Sequence, residues 1–117
     1  MATHTENGQA IKDNVLMGIA NDISGSLRHT FYYRDARASV IECAHTRITF
    51  TRTDITRTDL STGKSEIIAQ HVNGTNTLHD DDWAAIQLIG GDGIIAQTLY
   101  IRMCEIREVR TIARGEE

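Results

Sequence analysis

Thr46-Arg47-Ile48-Thr49-Phe50-Thr51-Arg52-Thr53-Asp54-Ile55-Thr56-Arg57-Thr58-Asp59-Leu60 is the stretch on which the fold turns. It is rich in β-branched residues and holds neither Gly nor Pro. Thr and Ile carry two heavy atoms on Cβ, which suits a pleated, half-buried surface better than a helical turn. The composition predicts one long strand over Thr46–Leu60, with the rest of the sheet beside it. Within it, Thr51–Ile55 is echoed by Thr56–Leu60. Side chains alternate faces along a strand, so this odd repeat puts Arg52 and Arg57 on opposite faces. A β-bulge between them restores a common face. Arg47, Arg52 and Arg57 read first as solvated charges that pair across strands and guard an edge. Their second reading is a row of guanidinium groups for phosphate or carboxylate.

Ser61-Thr62-Gly63-Lys64 is a turn, and Ser65–Val72 returns beside the long strand, so residues 46–72 are expected to form a hairpin. Upstream, Ile11, Val15, Ile19 and Ile23 recur every four residues, joined by Leu16, which predicts a helix over residues 8–24. Thr5 or Asn7 suits its cap and Gly25 its stop. Residues 1–7 are polar and expected to fray. Leu27–Arg34, with Phe31, Tyr32 and Tyr33, reads as an aromatic strand, and Ala38–His45 as a second.

Downstream, Asn73-Gly74-Thr75-Asn76 reads as a turn or loop. Trp83–Ile89 fits either a short helix opened by three aspartates or a strand. The strand is preferred, joined through Gly90-Gly91-Asp92-Gly93 to a partner at Ile94–Cys104, because Asp-Gly between apolar runs favours a hairpin. The tail Glu105–Arg114 either extends the last strand or forms a short helix. The sum is an α+β chain: an N-terminal helix packed on a mostly antiparallel five- or six-stranded β-meander, with residues 1–117 as a single domain.

The 117 residues suffice for one core, and 40% hydrophobic with 24% charged residues is ordinary for a globular protein. No apolar run approaches the roughly 20 residues of a membrane helix. The start, Met1-Ala2-Thr3-His4-Thr5-Glu6, has no signal-peptide pattern, so a cytoplasmic location is expected. A net charge of −4 argues against general nucleic-acid binding. Cys43 and Cys104 read as reduced core residues in apolar strands.

The candidate interface or ligand residues are Tyr32, Tyr33, Arg34, Arg47, Arg52, Arg57 and Trp83, types favoured both in protein interfaces and in phosphate or base contacts. His79-Asp80-Asp81-Asp82 offers oxygen donors for a divalent ion, but matches no calcium-loop spacing and reads as a solvated loop. Cys43-x-His45, with His29 or His71, falls short of the paired spacing of zinc sites. Its use as a nucleophile–base pair needs a proximity that spacing does not supply. No cofactor signature and no catalytic set is legible, which weighs against an enzyme.

The favoured function is a non-enzymatic small interaction protein that binds, and inhibits or adapts, a larger protein. Small acidic inhibitors of phages or mobile elements share that look, an analogy of size and charge alone. The alternative is a small-ligand or nucleotide-phosphate binding domain built on the Arg and Tyr residues. Ile67 and Ile68 fall on opposite strand faces, as do Ile94 and Ile95. Both sheet faces are then apolar, so a homodimer is expected across the sheet or along Thr46–Leu60 as an edge.

Overall fold

A computed structural model describes residues 17–115 of the chain. The expected frayed residues 1–7, the helix caps, and Ile11, Val15 and Leu16 of the predicted stripe lie outside the described residues. The helix, α1, occupies residues 17–28 and continues as a wider π-helical turn, His29–Tyr33. It therefore runs through Gly25, and Leu27–Arg34 is not a strand. The four-residue spacing explains why: after Ile19 and Ile23 it continues to Leu27 and Phe31. Ile23, Leu27 and Phe31 are all buried. One glycine costs a helix only about 1 kcal/mol relative to alanine, which burial of this stripe outweighs. The helix stops at Arg34, whose backbone is left-handed (φ 60°).

Eight strands follow among the described residues: β1 (Ala36–Cys43), β2 (Thr46–Phe50), β3 (Asp54–Asp59), β4 (Ser65–Gln70), β5 (Gly74–His79), β6 (Trp83–Ile89), β7 (Ile95–Arg102) and β8 (Ile106–Ala113). The α+β class holds, with more strands than five or six. Thr46–Leu60 is not one strand but a hairpin, β2–β3, folded at Arg52-Thr53, with Phe50 opposite Ile55 and Thr46 opposite Asp59. Neither tip residue has positive φ. The turn is held by a side chain instead: the Asp54 N–H donates to Thr51 Oγ1 (3.0 Å), and the Thr51 hydroxyl donates to the Asp54 carbonyl (2.9 Å). Such local bonds offer the backbone an alternative to the ladder.

The second turn forms as expected. Asp59 Oδ1 accepts from Ser61 N–H (2.8 Å) and Ser61 Oγ (2.6 Å), and Gly63 sits at φ 77°. Trp83–Ile89 is a strand and pairs with β7. Of Asn73–Asn76, expected as a turn or loop, only Asn73 lies in the connection, since β5 begins at Gly74. The tail is a strand of its own, pairing with β1.

The strands form an up-and-down meander whose ends meet. One sheet runs β4-β3-β2-β1-β8 and the other β5-β6-β7. Every pairing is antiparallel. Ile41, Ile48, Phe50 and Ile55 from the first sheet meet Ala84, Ile86, Leu88 and Ile101 from the second, together with the helix stripe, in one core. β2 and β3 lie inside the five-stranded sheet, so Thr46–Leu60 has no free edge and offers no two-fold strand pairing.

The helix is registered on β1 and β8 by a chain of hydroxyls. Thr111 Oγ1 donates to Ser26 Oγ (2.7 Å), Ser26 Oγ meets Ser39 Oγ (2.8 Å), and Thr30 Oγ1 meets Ser39 Oγ (2.7 Å). Ser39 Oγ also donates to the Ser26 carbonyl (2.9 Å). Ser26, Thr30 and Ser39 are buried, yet each has a partner, as a low-dielectric interior requires, while Thr111 closes the chain from the exposed side of β8. No helix among the described residues is long and apolar enough to cross a membrane.

Candidate interaction surface

In the three-stranded sheet, alternation turns Ala84, Ile86 and Leu88 of β6 inward, leaving Trp83 and Ala85 on the outer face. Register sets their neighbours: Leu78 of β5 and Tyr100 of β7 lie opposite Ala85, and Arg102 lies opposite Trp83. Trp83 and Tyr100 meet edge to face, with ring centroids 6.4 Å apart at 90°. The Arg102 guanidinium sits 4.9 Å over the Trp83 ring, a cation–π contact. Asp80 fixes the entry to β6. Its Oδ1 accepts from the N–H groups of Asp82 (2.8 Å) and Trp83 (2.7 Å). Those bonds, Trp83's first, hold its carboxyl below the usual carboxylate range.

The result is an apolar shelf of about 530 Å³ lined by Leu78, His79, Asp80, Trp83, Ala85 and Tyr100. Leu78 is 50% exposed, Trp83 39% and Tyr100 67%. Behind the Trp83–Tyr100 pair lies a second hollow of about 320 Å³, reached by Cys43, Ile48, Arg57, Arg102 and Glu105. The two aromatic rings thus form a ridge between an apolar shelf and a charged cleft.

Trp83 and Arg57 are therefore brought to one surface. The other candidates go elsewhere. Arg47 is tied to Glu42 across β1–β2 (2.9 Å), and Arg110 holds the same carboxylate (2.6 Å). Arg57 pairs across strands with Glu66 (3.3 Å). Tyr32 reaches β5: its hydroxyl donates to the Thr75 carbonyl (3.0 Å) and accepts from the Thr75 N–H (3.1 Å). Tyr33 packs edge to face on His29 (5.2 Å), which bonds Asp35 (2.8 Å). Arg34 and Arg52, 18 positions apart in sequence, line one small pocket.

Cys43 and His45 do not share a strand face: Cys43 is buried at the end of β1, while His45 is exposed in the turn beyond it. Burial pushes the Cys43 thiol up, and Glu105 and Glu42 add to this against the Thr46 hydrogen bond, so it is protonated at neutral pH. Cys104 is not a core residue. It is exposed in the turn Met103–Glu105. Among the described residues no three His, Cys, Asp or Glu side chains are placed to hold a metal ion.

Comparison with known protein families, curated proteins and solved structures found no match to this chain. Sequence reasoning missed Leu78, Tyr100 and Arg102 as partners of Trp83. The signal for two of them is present: pairing β6 with β7 through the Asp92-Gly93 turn places Tyr100 and Arg102 on Trp83's face.

Proposed function

We propose that this chain is a non-enzymatic interaction protein that holds a larger protein against the outer face of its three-stranded sheet. The observation that carries this is the exposed Leu78–Trp83–Tyr100 shelf. Aromatic residues set beside an Arg on an exposed apolar surface are the types that dominate binding energy at interfaces. Large exposed apolar patches on small proteins mark contact surfaces. Asp80 lines the shelf and Asp81 and Asp82 follow in the same exposed loop, within a chain of net charge −4. The partner surface that complements this is an apolar anchor flanked by Lys or Arg. Inhibition or adaptation of the partner follows from covering the surface it uses.

Trp83 is the only tryptophan in the sequence, so its emission reports occupancy of the shelf directly. A photo-reactive phenylalanine at position 100 should cross-link the partner in cell extract, whereas one at Thr49 should not. Trp83→Ala and Tyr100→Ala should each weaken the captured complex by about 30-fold or more, the cost of losing an interface anchor. Undiminished binding by both variants rejects the surface. The expected homodimer is decided by the same variants: light scattering at twice the monomer mass, returning to the monomer in Trp83→Ala, makes the partner a second copy.

A further inference from the structure

The pocket at the carboxyl end of α1 shares no residue with the shelf. It measures about 350 Å³ and is lined by Phe31 and Arg34 of the helix end, Arg52 and Thr53 of the β2–β3 tip, and Val72 and Asn73 of the β4–β5 connection. No carboxylate is among these lining residues. Arg47, Arg57 and Arg110 are ion-paired, whereas among the described residues neither Arg34 nor Arg52 has an acidic partner. The aspartates nearest to them in sequence, one and two positions on, are engaged elsewhere: Asp35 with His29 (2.8 Å) and Asp54 with the Gln70 amide (3.1 Å). The negative end of a helix dipole, worth about half a charge, faces this region, and two full positive charges outweigh it.

The backbone supports the same conclusion. Arg34 occupies the left-handed region (φ 60°), where glycine or asparagine is the usual helix terminator. His71, which opens the β4–β5 connection, is also left-handed (φ 58°), and its N–H donates to the Thr53 carbonyl (3.1 Å). One left-handed residue thus lines the pocket and the other directly precedes its lining residue Val72. Non-glycine residues in the left-handed region persist where the surroundings over-determine them, and such residues cluster at ligand sites.

We propose that Arg34 and Arg52, with the Asn73 carboxamide, form a binding site for a phosphate group, free or carried by a small molecule. Planar guanidinium groups suit tetrahedral oxyanions because each offers paired donors. Phe31 and Val72 are the apolar residues of the lining.

The test is calorimetric titration of the full chain with inorganic phosphate, pyrophosphate and AMP at matched ionic strength in chloride. Saturable binding at one site is expected. Tighter binding of AMP than of phosphate assigns the site to a phosphorylated small molecule. The reverse order assigns it to the free anion. Arg34→Asn suits the left-handed backbone while removing the charge, and Arg52→Gln keeps the tip polar. Each should weaken binding by about tenfold or more, since a hydrogen bond to a charged group is worth that factor. Arg47→Gln should leave it unchanged, with Trp83 emission and thermal unfolding confirming that all three variants fold. Absence of saturable heat, or binding that survives in the Arg34→Asn/Arg52→Gln double variant, overturns the proposal.

Discussion

Tyr32 shows how one side chain takes the place of a strand. β5 is an edge of its sheet, and an open edge invites pairing with another chain. The Tyr32 hydroxyl occupies both hydrogen-bonding groups of Thr75, as a neighbouring strand would. Its approach needs Gly74: a Cβ there would lie 2.6 Å from the Tyr32 hydroxyl. Tyr32→Phe should cost about 0.5–1.5 kcal/mol in urea unfolding, the range for a lost hydrogen bond. In a Gly74→Ala background, where the ring is already displaced, the same change should cost almost nothing. Additive losses in that double-mutant cycle would show that the two positions do not act together. The tyrosine itself was legible as a special residue in the sequence. Its partner was not, because 43 positions separate it from Thr75.

The β2–β3 hairpin depends on Thr51. Thr is a good strand former by its branching, yet its hydroxyl can also capture a local N–H, and here that second property prevails. Thr51→Val keeps shape and strand propensity but removes the hydroxyl, leaving the Asp54 N–H without its acceptor. A loss of about 1 kcal/mol is expected in denaturant unfolding. Thr49→Val, two residues away within β2, should be nearly neutral. Equal effects at the two positions would mean that the tip holds its shape without the side chain. Helix length follows the same logic in reverse: Gly25 looked like a terminator, but Leu27 and Phe31 carry the buried stripe past it.

Charge links the whole molecule to pH through Glu42. Its side chain is 17% exposed and is held by Arg47 and Arg110. Burial by itself would raise its pKa, but the hydrogen bonds and positive charges of the two arginines outweigh this and hold it below the ordinary carboxylate range. The folded state therefore binds fewer protons here than the unfolded chain, so this contribution is complete at neutral pH. It disappears as acid titrates the folded carboxylate. Unfolding free energy should fall as pH drops below about 4, near the unperturbed carboxylate pKa. Glu42→Gln should make that slope shallower. Asp59 and Asp80, also lowered by hydrogen bonds, keep part of it. An unchanged slope in Glu42→Gln would remove Glu42 from the acid response.

By itself the sequence determined the helical stripe through Ile19 and Ile23, the strand character of the segments around Ala38–Cys43, Ser65–Gln70, Trp83–Ile89 and Ile95–Arg102, the Gly63 turn and the Asp92-Gly93 hairpin. Each rests on local periodicity or on backbone freedom, which neighbours in sequence express. Three things were decided only by tertiary structure. The Thr46–Leu60 stretch became two strands inside one sheet, β2 pairing with β1 and β3 with β4, which buries Phe50 opposite Ile55. β8 returned to β1, which split the meander into two sheets and left Trp83, Tyr100 and Leu78 on one outer face. Arg34 and Arg52 met at one pocket while Arg47 and Arg57 found carboxylates. Such outcomes depend on which distant strands pair and in what register. A slip of one residue would send Trp83 inward and Ala84 out, so the surface belongs to the register of β5, β6 and β7 rather than to any one segment.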